Sequence, residues 1–388
     1  MERQMKTGDD YRGFEQGPIR PPSEAGSLLI RVTRNCPWNK CSFCPVYKGA
    51  QFSTRPVAHV KRDIDMVKRY VGLLRENGGK SDDIRKIRRP YEIQISDPGE
   101  QQALSAALHW SANGMKSVFI QDANSLIIRP TELIEILTHL KKAFPWTERI
   151  TSYARSHTIV RIKNSDLKAM KNIGLNRIHI GLESASDAVL KMVKKGVTKA
   201  THIKAGLKVK AAGIELSEYV MPGLGGIKLS QVHATETADA LNQINPDFIR
   251  FRTLAIPNNT PLFEEFTAGR FDKCTDLMMA KEILMFIEKL NGITSVVKSD
   301  HILNLFEDVE GTLPQGKDKM TAILRTFLDM DPKRQCVYQV GRRMGLFSRI
   351  SDMENPFRLK KVEKACHKLD ITPDNVDEMV DQIMQRFI

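Results

Sequence analysis

The sequence predicts an α/β protein, an open or partial barrel of six strand–helix units followed by a mainly helical C-terminal extension. Short apolar and β-branched segments such as Lys116–Gln121 and Asn176–Leu182 alternate with helical segments of about 10–15 residues. This alternation runs from a first strand at Leu28–Thr33 to a sixth at Asp247–Leu254. Such alternation is typical of parallel βαβ units. Six strands suit a partial barrel better than a closed barrel of eight.

The other predicted elements follow the same periodicities. After Pro56, a long amphipathic helix is indicated by apolar residues at helical spacing, namely Val57, Val60, Ile64, Val67 and Val71. Further strands are predicted at Tyr91–Ser96, Arg149–Tyr153 and Ile214–Met221. Further helices are predicted at Pro130–Ala143, Ser165–Asn172, Ser230–Ile244, Lys273–Leu290 and Lys317–Leu328.

Changes in composition divide the chain into four predicted segments. Residues 1–25 are rich in proline, glycine and charge and are expected to form an N-terminal arm. The barrel is predicted to span residues 26–260. A helical extension packed on the barrel is expected at residues 261–330, and a small helical tail at residues 331–388.

The composition is that of an ordinary folded chain with a strongly basic balance. The 388 residues are 41% hydrophobic and carry a net charge of +13. No run of about 18 apolar residues indicates a membrane span, and Met1–Asp10 lacks the apolar stretch of a signal peptide. We therefore expect a cytoplasmic protein. The basic balance, with a cluster at Arg85–Arg89, makes nucleic acid a candidate partner.

Three of the six cysteines, Cys36, Cys41 and Cys44, lie within nine residues. Three thiolates in one short loop can bind three corners of an iron–sulfur cube. The fourth iron is then left for a small-molecule ligand. Two alternatives remain open at this point. One is a zinc site with a fourth ligand such as His59 or a distant cysteine, and the other is three structural thiols.

A barrel strand followed by this cysteine cluster, with Phe43 before the last cysteine, resembles the radical S-adenosylmethionine (SAM) superfamily. The usual superfamily spacing is C-x3-C-x2-C, and here the first gap is one residue longer. The resemblance implies a TIM-like partial barrel, a [4Fe–4S] cluster and SAM as cofactors. It also implies a one-electron reductant such as ferredoxin or flavodoxin, and reductive cleavage of SAM to a 5′-deoxyadenosyl radical.

The resemblance extends to the ends of later strands. Asp122 and Asn124 stand where the superfamily carries a GGE-type motif that holds the amino group of SAM. Glu183 stands in a GLES-type ending, where a carboxylate lies near the ribose. The stretch is most similar to the group of the methylthiotransferases and oxygen-independent coproporphyrinogen oxidase. The alternative roles are helix capping for Asp122 and a solvent-facing position for Glu183.

Further cofactor contacts are implied for the third, fifth and sixth strands. Ser152 and Arg155 are suited to the SAM carboxylate or to a substrate, with a surface ion pair as the alternative role for Arg155. Gly223 and Gly225 belong to the glycine loop 221–226, which flanks the adenine in the superfamily. Leu254 begins a plausible apolar wall for the adenine.

The candidates for catalysis are Arg155, His301 and Asn304. His301 and Asn304 belong to a segment, residues 299–304, that resembles one found after the barrel in relatives. Other histidines, namely His157, His179 and His202, are expected to be structural. Arg342 and Arg343 are expected to lie on a solvated face.

The main functional hypothesis is a radical SAM enzyme that abstracts hydrogen from a small molecule or a cofactor precursor. A second hypothesis is radical-based RNA modification, motivated by the charge and by aromatic and basic residues in the tail. A third is a non-enzymatic carrier of a cluster or of heme on the same fold. The substrate is not identified by any motif.

Overall fold

The computed structural model describes residues 11–77 and 96–384. The described residues within 1–37, 50–154 and 162–177 form one compact unit. Those within 38–49, 155–161 and 178–388 form a second unit. The predicted strand at Tyr91–Ser96, apart from its last residue, and the basic cluster Arg85–Arg89 lie outside the described residues.

Ten strands and fourteen α-helices occur in the described part of the chain. The strands are β1 (Leu28–Arg31), β2 (Thr33–Arg34), β3 (Ser53–Thr54), β4 (Ser117–Gln121), β5 (Arg149–Ala154), β6 (Leu175–Glu183), β7 (Glu215–Val220), β8 (Phe248–Phe251), β9 (Val296–Lys298) and β10 (Gly311–Thr312). The helices are α1 (Val57–Asn77), α2 (Pro98–Ala112), α3 (Pro130–Ala143), α4 (Ser156–Arg161), α5 (Asn164–Ile173), α6 (Asp187–Met192), α7 (Lys199–Ala211), α8 (Gly226–Ile244), α9 (Pro261–Thr267), α10 (Asp276–Lys289), α11 (Lys317–Leu328), α12 (Pro332–Arg343), α13 (Pro356–Lys368) and α14 (Val376–Met384).

In the first unit, β1, β4 and β5 are neighbours in that order and run parallel. Leu28 pairs with Val118, and Ser117 pairs with Arg149. Helix α1 packs on α2 and α3. Its apolar stripe is buried because the predicted spacing places these side chains on one helix face. The carboxyl ends of three parallel strands therefore share one edge.

In the second unit the strand order is β6–β7–β8–β9–β10. The pairs β7–β8 and β8–β9 are parallel, whereas β9 and β10 are antiparallel. The sequence predicted a mainly helical chain after Pro261 and located no strand there, so it missed β9 and β10. They have three and two residues, which is too short for an alternating pattern. Their strand conformation comes from pairing with β8 and with each other.

The C-terminal helices of the second unit are held by an aromatic core and buried arginines. Phe306, Phe327, Tyr338 and Phe347 form a chain of ring contacts. The prediction of a solvated Arg342–Arg343 pair was wrong, since both side chains are buried. Arg342 pairs with Glu307 at 2.6 Å and Arg343 with Asp276 at 2.7 Å. These contacts give the arginines the partners that buried charges require.

The α/β fold class predicted from the sequence is confirmed. Each of the six predicted barrel strands has its counterpart in β1, β4, β5, β6, β7 and β8, and helices separate them. The domain boundaries at residues 25, 260 and 330 stay a prediction. No helix in residues 11–77 and 96–384 is long and apolar enough to cross a membrane.

The burial of His202 on α7 leads us to predict that acid destabilises the second unit. It is 1% exposed, and its Nδ1 lies 2.7 Å from Ser156 Oγ. Burial, together with the charges of Lys195 and Arg155, lowers the pKa of His202 from 6.5 to about 3. The unfolded chain therefore takes up this proton near pH 6.5, whereas the folded chain resists it. We expect the free energy of unfolding to fall as the pH drops from about 6.5 towards 3, by up to about 1.4 kcal/mol per pH unit.

The measurement is urea unfolding at pH values from 7 to 4 for the wild type and His202→Gln. The variant is expected to flatten the decline, because glutamine takes up no proton. His367→Gln is the matched control, since His367 is exposed. Equal pH dependence in all three proteins would assign the acid sensitivity to other groups.

Candidate functional site

Asp122 directly follows β4 in the first unit and is fully buried. Its φ of 75° lies in the left-handed region, which aspartate adopts at a cost. Arg31 Nε lies 2.7 Å from Asp122 Oδ2, and the Asn35 backbone N–H donates to the same oxygen at 3.3 Å. The carboxylate is therefore held in place by a cation and a backbone group at the end of a parallel strand.

The N-terminal arm contacts this strand end closely. The Gln121 side chain accepts from Gly17 N at 2.7 Å and donates to Gly17 O at 2.7 Å. A Cβ on Gly17 would stand 2.5 Å from Asp122 Oδ1. Only glycine permits this approach. The described residues of the arm therefore pack in the first unit, directly beside Asp122.

Glu15 in the same arm is surrounded by three arginines. It pairs with Arg34 at 2.6 Å, Arg55 at 2.7 Å and Arg31 at 3.3 Å. Burial favours a higher pKa for Glu15, but the hydrogen bond from Arg34 and the charge of Arg55 outweigh it and lower the pKa. Glu15 therefore stays ionised and ties the arm to Arg31, the partner of Asp122. Sequence reasoning missed this residue because nothing local marks its three distant partners.

Asn124 and Ser152 are the other predicted contacts in the first unit, and both are 1% exposed. Asn124 precedes the short 3-10 helix Ser125–Ile127. The Ser152 hydroxyl donates to the carbonyl oxygens of Ile120 at 3.4 Å and Tyr153 at 3.2 Å. Both residues lie at the strand ends where the sequence placed them, and their role toward a cofactor stays a prediction.

The cysteine loop continues from the first unit into the second, with the division between Pro37 and Trp38. Cys36, Cys41 and Cys44 are half-buried, and none is in a disulfide. In the second unit, Lys48 Nζ donates to Cys41 O at 2.9 Å. The loop backbone is therefore fixed by hydrogen bonds while its thiols remain reduced.

Trp38 anchors the loop, and the sequence analysis had not identified it. Its indole Nε1 donates to Lys194 O at 2.8 Å. A Cβ on Gly196 would come within 2.2 Å of the indole ring, so the ring lies directly on this glycine. The Arg155 guanidinium lies 5.0 Å from the ring centroid, and Arg155 donates to Lys195 O at 2.6 Å. Arg155, predicted to meet SAM or substrate, thus contacts the cysteine loop.

Phe43 inserts the loop into an apolar cluster of the second unit. Cys41 and Cys44 pack against this cluster. The buried members are Phe43, Val189, Val193, Met221, Leu224, Leu254, Leu262 and Phe271. The cluster joins the cysteine loop, the glycine loop and the segment after β8. It brings together Phe43 of the cysteine motif and Leu254, which the resemblance had assigned to the adenine.

Glu183 ends β6 with a φ of 64°, a second acidic residue in the left-handed region after a strand. Lys195 Nζ lies 3.0 Å from its Oε1 and 5.7 Å from the centroid of the Phe43 ring. A Cβ on Gly181 would stand 2.3 Å from Glu183 Oε1. Glu183 is therefore not a freely solvated side chain. Its carboxylate is paired and lies near the cysteine loop.

Glu218 on β7 was not identified from the sequence and is fully buried. Neither carboxyl oxygen has a hydrogen-bond partner within the described ranges. Burial raises the pKa of Glu218 well above its usual value, and the charge of Glu183 adds to this, opposed by Lys195. Burial therefore favours the protonated form of Glu218. The sequence of β7 gave no signal that this side chain is buried.

The glycine loop is hydrogen-bonded to side chains of two helices, α8 and α10. Gly223, with a φ of 83°, donates its N–H to Glu282 Oε1 at 2.7 Å, and Ser230 also donates to Glu282. His233 Nε2 lies 3.1 Å from Met221 O, and its Nδ1 lies 2.8 Å from Ser184 Oγ. A carbonyl only accepts, so Nε2 carries the proton and Nδ1 accepts from Ser184.

His233 thus links the glycine loop to the residue after Glu183. Gly225, also predicted to contact a cofactor, has no room for a side chain. A Cβ there would stand 2.9 Å from the Leu229 carbonyl oxygen. Sequence analysis missed His233 and Glu282, because both lie on helices, far in sequence from the loops that they support.

The two remaining catalytic candidates, Asn304 and His301, differ in their hydrogen bonding. Asn304 is 3% exposed, and its amide oxygen accepts from the N–H and hydroxyl of Thr253. Its amide nitrogen donates to Phe251 O and Ser299 Oγ. All four hydrogen-bonding positions are used, so this conformation gives Asn304 a structural role. His301 accepts from Leu303 N at 3.3 Å, and burial lowers the pKa of His301 to about 4.

The donor set of the cysteine loop fits an iron–sulfur cube. Three thiolates bind three different irons of a cube and need not converge on one point, and the fourth iron accepts oxygen and nitrogen ligands. Within the described ranges, no three His, Cys, Asp or Glu side chains are gathered to hold a single metal ion. Two carboxylates at strand ends, the buried Asp122 and the half-buried Glu183, are suited to ammonium and hydroxyl groups.

Comparison with known proteins gives a consistent result. Residues 88–237 match the family described as the Radical SAM superfamily. A tRNA uridine(34) acetyltransferase of Methanocaldococcus jannaschii is 20% identical over 277 residues, which cover 66% of this chain and 47% of the relative. The Methanocaldococcus infernus protein of the same name is 25% identical over 107 residues, covering 27% of this chain and 20% of the relative.

This chain therefore spans less than half of the length of these curated relatives. Among solved structures, the coproporphyrinogen III oxidase of Escherichia coli, titled a radical SAM enzyme, superposes with a TM-score of 0.43. It is 13% identical, and the match covers 68% of this chain and 52% of the other.

Proposed function

Because residues 88–237 match the family described as the Radical SAM superfamily, we propose that the chain is an enzyme that cleaves SAM reductively at a [4Fe–4S] cluster. The bound cluster and SAM supply a 5′-deoxyadenosyl radical that abstracts hydrogen from an organic substrate. The substrate class that we propose is a small molecule or a cofactor precursor. The observation that carries this proposal is the apolar cluster around Phe43. It joins the cysteine loop to the glycine loop and to Leu254, which lie about 180 to 210 residues away in sequence.

Each predicted contact receives a role in the proposal. Cys36, Cys41 and Cys44 hold the cluster. Asp122, fixed by Arg31, accepts from the amino group of SAM, and Glu183 accepts from the ribose. The remaining proposed contacts are Phe43, Asn124, Ser152, Arg155, Gly223, Gly225 and Leu254.

His301 is proposed to contact the substrate as a neutral, hydrogen-bonding ring, because burial lowers its pKa to about 4. Arg155 is proposed to position the cysteine loop, since it contacts Trp38. A one-electron reductant such as ferredoxin or flavodoxin is the proposed protein partner. A cytoplasmic location is supported by six cysteines without a disulfide, which suits a reducing compartment.

A second candidate function is radical-based modification of RNA. It is supported by the curated relatives, both of which are tRNA uridine(34) acetyltransferases, and by the net charge of +13. It predicts salt-sensitive binding of transfer RNA. Absence of such binding at low ionic strength would remove this candidate and leave the small-molecule proposal in place.

The test is anaerobic reconstitution with iron and sulfide, followed by dithionite and SAM and quantification of 5′-deoxyadenosine. The control is the Cys36→Ala, Cys41→Ala, Cys44→Ala triple variant. We expect about four irons per chain and product that depends on the cysteines. Cluster transfer or heme transfer without SAM cleavage would support a carrier instead. A chain that retains no iron would contradict the proposal and favour zinc.

A further inference from the structure

Helix α13 carries an exposed stripe of lysines with an aromatic residue at its start. Lys360, Lys361, Lys364 and Lys368 are all exposed, and Phe357 is 80% exposed. Relative to Phe357 they lie at i+3, i+4, i+7 and i+11, which is one face of an α-helix. We name this face the lysine stripe.

The opposite face of α13 fixes the orientation of the stripe. Val362 is 0% and Cys366 7% exposed, and the helix packs against α12 through this side. Asn355 caps the helix by accepting from Phe357 N and Arg358 N. The stripe is therefore presented on a rigid element of the second unit.

The charge of the stripe is not neutralised by the protein itself. Across residues 11–77 and 96–384, none of the four lysines forms an ion pair, whereas Arg358 on the neighbouring face pairs with Asp352. Glu363, the single acidic residue of α13, lies off the stripe. Four like charges spread over about 12 Å of helix repel one another and favour a partner with a row of negative charges.

We propose that the lysine stripe binds the backbone of single-stranded nucleic acid, with Phe357 stacking on a base. The phosphates of such a strand offer a row of negative charges to this row of lysines. An exposed aromatic ring beside cations is the usual platform for an unpaired base. An anionic membrane fits less well, because a helix that lies in a membrane surface needs a broad apolar face, and the stripe has one apolar residue.

The exposed basic and aromatic residues of the tail are not all those that the sequence indicated. The aromatic and basic residues of the tail that motivated RNA modification were Tyr338, Phe347 and Phe357 with Arg342, Arg343, Arg349 and Arg358. Of these, Tyr338, Phe347, Arg342 and Arg343 are buried, whereas Phe357, Arg349 and Arg358 are exposed, as are the four lysines of the stripe. The proposal concerns a surface helix and does not depend on cluster or SAM chemistry.

The test measures binding of a fluorescein-labelled 20-nucleotide oligouridylate to the full-length chain by anisotropy, at several salt concentrations. The variant is K360Q, K361Q, K364Q and K368Q combined. The matched control, K168Q, K204Q, K281Q and K319Q combined, removes the same charge from exposed lysines elsewhere. We expect the stripe variant to bind about tenfold or more weakly at low salt. Its log–log salt slope should fall by about 2 to 3, since each phosphate contact contributes about 0.7.

Phe357→Ala separates stacking from charge. It is expected to weaken binding about five- to tenfold with an unchanged salt slope. The proposal is overturned if the control variant loses as much affinity as the stripe variant, or if the wild type does not bind the probe. Lysine-dependent binding to vesicles with 30% phosphatidylserine, without oligouridylate binding, would replace it with a membrane surface.

Discussion

Replacing Gly196 with alanine is expected to release the cysteine loop and lower the iron content of the reconstituted protein at least about threefold. The new Cβ would lie 2.2 Å from the Trp38 ring, so the indole must move. The indole also holds the loop through its bond to Lys194 O. Such overpacking costs about 1–3 kcal/mol. The measurements are iron per chain and the fluorescence of Trp38, the one tryptophan in the loop.

Gly345→Ala is the matched control for this prediction. Gly345 and Gly196 share a φ of +70°, but a Cβ on Gly345 meets nothing within 4 Å. Both variants carry the cost of a left-handed alanine, about 1–2 kcal/mol, and only Gly196→Ala displaces Trp38. Wild-type iron content in Gly196→Ala, or an equal loss in both variants, would contradict a role of Trp38 in anchoring the loop.

Breaking the ion pair between Arg343 and Asp276 is expected to destabilise the second unit by about 3–5 kcal/mol. Both side chains are 2% exposed, and their contact is 2.7 Å. Arg343→Met leaves the Asp276 carboxylate buried without its cation, which causes most of the cost. The pair fixes α12 to the start of α10. The free energy of unfolding in urea measures the effect.

Two further variants test this explanation. Arg343→Met combined with Asp276→Asn should cost clearly less than the sum of the single variants, because it removes the uncompensated charge. Arg270→Met breaks a pair with Glu265 whose side chains are 61% and 48% exposed, and it should leave the free energy of unfolding nearly unchanged, because solvent screens the pair. Similar losses for Arg343→Met and Arg270→Met would show that burial does not govern these pairs.

The sequence was sufficient for the features that depend on near neighbours. A strand such as β4 and a helix such as α1 are specified by the alternation and spacing of their own side chains, so both were predicted. The three cysteines lie within nine residues. Their spacing alone was enough to indicate a metal or cluster site. Asp122 and Glu183 were proposed from their resemblance to superfamily motifs at the ends of predicted strands, and their role toward a cofactor stays a prediction.

What the sequence missed depends on partners far along the chain. Trp38 rests on Gly196 and His233 reaches Ser184, and no local pattern marks either pair. The short strand β9 exists because β8 offers it a parallel edge. Neighbouring residues were enough to predict most of the barrel strands and helices and to propose the cysteine site. Only the tertiary structure decided which charges are buried and which are exposed, because burial depends on contacts between residues distant in sequence, as at Arg343 and on the lysine stripe.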